Sequence, residues 1–231
     1  MFPLKDTARS RSFPLVTWLI IGVNIGVFLF EASLGPRQLD RFIRAYGLVP
    51  LRFVQDFGPD QIATIFSSMF LHGGWFHVIS NMWALFLFGD NVEDRMGHGR
   101  YLIFYFLCGT VAAVAQLLAA PGSALPMVGA SGALAGVLGA YLILFPRERV
   151  ITFVPMFFLP WFVEIPALFY LGFWFISQLF NGLFALGVPA AYGGVAWWAH
   201  IGGFITGLSL VKLFEQRRAY RAWHADEYWP W

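Results

Sequence analysis

The chain has 231 residues, 58% apolar and only 12% charged, whereas average soluble domains run about 45–50% apolar and about 25% charged. A soluble domain of this length cannot bury so much apolar surface and keep a polar skin, so lipid is the solvent against which the sequence is read. The same figures exclude disorder and collagen-like structure. A net charge of +2 gives no argument for a nucleic-acid partner, and a single cysteine, Cys108, excludes an intrachain disulfide or a Cys-based metal cluster.

Residues 1–14 carry Lys5, Arg9 and Arg11 ahead of a long apolar run that no small-residue cleavage site closes. They read as a cytoplasmic N-terminal segment before a retained first span. Spans are predicted over 15–33, 74–90, 100–120, 128–145, 163–182 and 195–214, since a helical crossing needs about 20 mostly apolar residues. The expected fold is an all-α polytopic membrane protein. It has a six-span domain over 15–214 and a cytoplasmic tail over 215–231, which holds Trp223, Tyr228, Trp229 and Trp231. An even span number puts both termini on one side. That side holds eleven of the fifteen Lys and Arg, so the termini are expected to be cytoplasmic, in a cell inner or plasma membrane. Trp18, Trp75, Tyr101, Trp161, Trp197 and Trp198 fall near span ends, as interfacial aromatics do. The longest outer connection, 34–73, contains LDRFIRAY. There Leu39, Phe42, Ile43 and Tyr46 form one apolar helical face beside Arg41 and Arg44. That helix lies either in the membrane interface or packed on the bundle top.

Polar groups inside spans are costly and mark function by default. They are Asn24, His77, Asn81, Ser131, Glu164, Gln178 and His200. Asn24 reads as interhelical glue. Glu164 and Gln178, toward opposite ends of span five, read as snorkelling or helix-to-helix bonding. Ser131 sits in VGASGALAGVLGAY at the outer start of span four, where free backbone N–H groups and the helix dipole favour a developing oxyanion. Gly132 and Gly136 make a GxxxG pair suited to close packing. In AHIGGFITG, His200, Gly203 and Gly207 share one face of span six, about 8 Å down from the same side. Two small-residue faces let the backbones approach, so that His200 reaches Ser131. His77 and Asn81, at i and i+4, form a hydrogen-bonding face at the outer end of span two, at a matching level. A metal reading of the histidines is weak, because no carboxylate or cysteine lies close in sequence and HExxH is absent. No pair of intramembrane aspartates suggests aspartyl proteolysis.

His72, His77 and Asn81 in H-x4-H-x3-N, GASG at 129–132 and AHIGGFITG at 199–207 together resemble the rhomboid family of intramembrane serine proteases over nearly the whole chain. FGDNVEDRMG at 88–97 resembles the family's second loop. The resemblance implies a Ser–His dyad, with Ser131 as nucleophile and His200 as general base, and an oxyanion hole from His77, Asn81 and the Ser131 N–H. It implies structural roles for His72, Gly129 and Gly132, and membrane-anchored proteins as substrates. No cofactor or metal is implied. Two departures stand out. Ala135 occupies a position where some members carry a tyrosine that stacks on the catalytic histidine, so Trp197, Trp198 or a backbone carbonyl is expected to orient His200. Ala63 and Thr64 stand where some members have a Trp-Arg pair. Span five, with Trp174, Phe175 and Gln178, is the expected lateral gate. The competing readings are a catalytically silent rhomboid-like binder of membrane helices and a small transporter or channel. The clustering of polar groups near one side argues against the transporter. The natural substrate and the oligomeric state are not legible in the sequence.

Overall fold

A computed structural model describes residues 2–156, 159–187 and 194–216. Among the described residues, a helix lies in each of the six predicted spans: α1 (Leu15–Ser33), α5 (Trp75–Met96), α6 (His98–Ala119), the shorter α7 (Ser131–Leu144), α8 (Ala167–Ala185) and α9 (Trp197–Phe214). The connection after α1 carries three short helices, α2 (Pro36–Tyr46), α3 (Pro50–Gln55) and α4 (Pro59–Ser67). Helices α1, α6 and α8 are each long and apolar enough to cross a membrane alone, and α5 passes the same test together with the segment Pro59–Phe70, from which it is bent by 80°. The fold is an all-α polytopic bundle with one addition, a small sheet that starts at the end far from the site.

Helix α7 is the axis of the bundle. Every residue from Gly132 to Tyr141 is buried, which its glycines and alanines permit. A Cβ on Gly203 would fall 2.0 Å from the Gly132 carbonyl oxygen, and one on Gly207 1.9 Å from that of Gly136. The α7 and α9 backbones therefore touch, as the two small-residue faces predict. Cys108, on α6, is buried against Gly136, where α6 meets α7.

The sheet is antiparallel, in the order β1 (Phe2–Asp6), β2 (Arg149–Met156), β3 (Leu159–Pro166). The β2–β3 register runs from Arg149 opposite Pro166 to Met156 opposite Leu159, and β1 pairs on β2 with Phe2 opposite Phe153. This corrects two expectations. Span five begins at Ala167 rather than at 163, and Glu164 lies on β3 rather than in a span, paired with Arg149 across the hairpin at 2.9 Å. The run ITFVPMFFLPWFVEIP is apolar but for Thr152 and Glu164, and a nearly continuous apolar run does not reveal its period. Strand β1 climbs along α5. Asn91 Nδ2 donates to Asp6 Oδ2 at 3.0 Å, and Trp83 Nε1 donates to the Pro3 carbonyl at 2.6 Å. Thirteen residues, about 20 Å of helix, separate Trp83 from Met96, so the strand reaches well up the bundle.

The segment FGDNVEDRMG is not a loop, because α5 continues to Met96 and turns into α6 at Gly97, whose φ of +77° suits glycine. Its acids cap the chain from a distance. Glu93, fully buried, accepts hydrogen bonds from Val16 N, Thr17 N and Thr17 Oγ1 at 2.7–2.9 Å, satisfying the free N–H groups at the start of α1. Asp94 accepts from Ser12 N and Oγ. Helix α2 forms as the apolar spacing predicts, with no buried residue and with Phe42 against Phe30. The tail aromatics Trp223, Tyr228, Trp229 and Trp231, and Arg217, Arg218 and Arg221, lie outside the described residues.

Candidate active site

Ser131 is the first residue of α7 and His200 the fourth of α9. The seam between these helices brings His200 Nε2 to 2.8 Å from Ser131 Oγ. His200 is three residues, about 4.5 Å, below the start of α9, shallower than the sequence estimate because the helix begins at Trp197. Both side chains border a cavity of about 490 Å³, lined also by His77, Asn81, Ser68 and Gly129.

The approach to Ser131 is shaped by Gly129, at φ +125°. A side chain there would be strained and would also meet the His77 ring, at 2.7 Å from Cε1 and 2.8 Å from Nε2, with Asn81 Nδ2 at 3.6 Å. His77 and Asn81 therefore converge on the backbone just before the serine. Their donors face it. The Gly73 N–H points to His77 Nδ1 at 3.4 Å, which makes Nδ1 the acceptor and leaves the proton on Nε2. Asn81 Nδ2 spends one hydrogen on His72 Nε2 at 3.1 Å and keeps a second. The Gly129 N–H donates to the Ser68 carbonyl at 2.8 Å, which pins Gly129 to the 3₁₀ turn Ser68–Phe70.

His72 is buried, and its backbone N–H donates to the Glu31 carboxylate at 3.2 Å. Glu31, only 1% exposed near the end of α1, was not among the polar residues singled out in the sequence. An acid inside the last turn of an apolar span is itself the signal that reveals it. Asn24 does not bond to a neighbouring helix through its amide nitrogen, which donates to Ile20 O one turn back in α1. The aromatic environment of His200 also differs from expectation. Trp197 stands edge-on at 6.2 Å and Trp174 lies tilted at 6.0 Å, but the polar partner of His200 Nδ1 is Gln178 Oε1 on α8, at 2.8 Å. Gln178 makes the helix-to-helix bond that its position suggested, and makes it to the site.

The structure thus gathers Ser131, His200, His77, Asn81, His72, Gly129, Gly132 and Gly203 at one end of the bundle, on α5, α7, α9 and the turns before them. Glu164 is at the other end, and Asn24 is buried in α1 away from the cavity.

A family model for the Rhomboid domain matches residues 59–217, which include all of these site residues. Rhomboid protein 1, mitochondrial, of Saccharomyces cerevisiae is 28% identical over 217 residues, covering 89% of this chain and 56% of the yeast protein. RHOMBOID-like protein 1 of Arabidopsis thaliana is 26% identical over 236 residues, covering 90% of this chain and 55% of that one. Rhomboid protease GluP of Bacillus subtilis is 31% identical over 130 residues, covering 56% of this chain and 24% of the protease. The chain spans about half the length of the curated relatives it matches most fully. With three helices among the described residues long and apolar enough to cross a membrane alone, a fourth that does so with its bent neighbour, and a family match over most of its length, the chain is an integral membrane protein that belongs to the rhomboid family.

Proposed function

We propose that the chain is an intramembrane serine endopeptidase that cuts membrane-anchored proteins in or near a transmembrane segment. The observation that carries this reading is the 2.8 Å contact between His200 Nε2 and Ser131 Oγ at the wall of a cavity. Nothing in helix binding alone calls for that pair. In the proposed reaction His200 Nε2 takes the Ser131 proton as Oγ attacks the scissile carbonyl, then returns it to the leaving amine. Water hydrolyses the acyl-enzyme by the same route. The oxyanion is received by the Ser131 N–H, His77 Nε2–H and the spare hydrogen of Asn81, with the α7 N-terminus adding its dipole. No metal or cofactor takes part in this chemistry.

Peptide hydrolysis inside a membrane needs water, and a cavity at one end of the bundle supplies a place for it. Irregular backbone at membrane depth is tolerated where it lines such a cavity, which is where the connection before Ser131 runs. A substrate helix must unwind to expose its carbonyl, so Gly, Pro or small residues near the cut favour cleavage. Helix α8 is the proposed lateral gate. Its buried residues are only Ala167, Leu171, Gln178 and Gly182, and Phe169, Phe173 and Phe180 are at least 66% exposed. By the charge asymmetry the site faces the outer side and the termini the cytoplasm.

The test is a fluorescent serine-reactive probe on the purified protein beside Ser131→Ala and His200→Ala. Labelling of the wild type alone supports the protease. A folded wild type left unlabelled by several probe classes would put a silent helix-binding protein in its place.

A further inference from the structure

We propose that Gln178 is the positioning residue of the site, accepting the Nδ1–H of His200 and so presetting the imidazole tautomer that faces Ser131 with a free Nε2 lone pair. This inference rests on the protease reading and adds a third group to its dyad.

The amide is oriented by its own far end. Gln178 Nε2 donates to Ser177 Oγ at 3.0 Å and lies 3.3 Å from the Trp174 carbonyl, while Ser177 Oγ donates to that same carbonyl at 2.6 Å. The serine hydrogen is therefore spent, and its oxygen is free to accept. Turning the amide over would set its carbonyl against the Trp174 carbonyl and its NH₂ against His200. Oε1 must then be the atom 2.8 Å from His200 Nδ1. A neutral imidazole carries one donor and one acceptor nitrogen. With a carbonyl oxygen at Nδ1, the proton sits there, and Nε2 accepts from Ser131 Oγ at 2.8 Å.

The choice of an amide has a physical reason. Gln178 is 6% exposed, in an apolar helix. A carboxylate there would require burying a charge, whereas the amide carbonyl is neutral and still stabilises the Nδ1–H when His200 takes the serine proton. The partner also comes from a third helix. Ser131 is on α7, His200 on α9 and Gln178 on α8, the proposed gate. Seating α8 against α9 is thus what completes the base, whereas position 135 on α7 is an alanine with no polar group to offer.

Two measurements on the full chain in detergent test this. In ¹⁵N-histidine spectra, with His200 assigned by its loss in His200→Ala, the wild type should show a protonated Nδ1, and Gln178→Leu a mixture of tautomers at unchanged melting temperature. This readout does not depend on cleavage, so absence of Ser131-dependent activity would remove the protease reading without deciding the tautomer. A wild-type His200 protonated at Nε2 overturns the inference. In kinetics on a transmembrane reporter, Gln178→Leu should lower kcat by about 10–100-fold with little change in KM. Gln178→Glu should recover part of the loss and move the acid limb of the kcat/KM profile to higher pH, because a carboxylate favours the imidazolium. Equal kcat in wild type and Gln178→Leu, or an acid limb that Gln178→Glu leaves in place, would also overturn it.

Discussion

The two ends of the bundle handle buried polar groups differently. At the far end the buried carboxylates are satisfied by the protein itself, while Asn91 Oδ1 and Tyr101 Oη are left without a hydrogen-bond partner among the described residues. Glu93 is taken up by the start of α1 and by His98 at 2.5 Å, Asp94 by Ser12, and Asp6 by Tyr141 Oη at 2.6 Å and Asn91. Glu215 pairs with Arg95 and Lys212; burial raises its carboxyl pKa, but these partners outweigh burial and hold it below the usual range. At the site end donors are left over. His77 keeps its Nε2–H and Asn81 one hydrogen, and both point at the backbone before Ser131 beside a cavity. Spare hydrogen-bonding capacity beside a void is what the proposed reaction site has and a purely structural network lacks, since an unmade buried bond is costly unless something else comes to make it.

That contrast yields a graded set of tests. Ser131→Ala or His200→Ala should lower reporter cleavage in liposomes by about 10⁴–10⁶-fold, with the melting temperature in detergent close to wild type. Next, Asn81→Ala and His77→Ala should each lower kcat by about 10²–10³-fold. If either variant instead kept its rate and only melted earlier, the spare donors would be structural and the contrast would fail. At the far end the signature reverses. Glu93→Ala leaves the first N–H groups of α1 without a partner inside the protein, so it should cost about 3–5 kcal/mol of stability. The rate per folded molecule, measured in the same preparation, should hold.

The smallest effect concerns Asp6. Burial raises its carboxyl to about 6, although the Tyr141 hydrogen bond acts the other way. A folded-state value above the ordinary one means that the folded protein holds the extra proton. The stability this contributes is complete below about pH 4 and is lost as the pH rises through about 6. The loss is about 2–3 kcal/mol. Asp6→Asn keeps an acceptor for Tyr141 and Asn91 without the charge, so its melting temperature relative to wild type should rise between pH 4 and pH 7. A difference independent of pH would show that Asp6 does not titrate in that window.

Much of the site was legible because its residues recur at helical spacing. His77 and Asn81 one turn apart, Ser131 opening a glycine-rich helix, and His200 with Gly203 and Gly207 on one face each report a local geometry. Gln178 was seen only as an interhelical bond, since nothing near it in sequence names the histidine it meets, 22 residues further on. Glu31 was passed over at the margin of its span, where an acid can also be an ordinary interfacial residue. The strands were hidden for a different reason. The largely apolar run 151–166, whose last four residues open predicted span five, fits a helix as well as a hairpin, and β1 is five residues whose partner is nearly 150 positions away.

By itself the sequence determined the solvent, the six helices, the small-residue seam and the end of the bundle at which serine, histidines and asparagine gather. These follow from composition and from the 3.6-residue period, which act along the chain. The tertiary structure decided which donors remained spare, which side chain meets His200 Nδ1, and that a hairpin would recruit the strand at Phe2–Asp6. Each of these turns on a partner far away in sequence. Whether a polar group is satisfied or left free depends on what the fold brings to it, and no spacing along the chain encodes that.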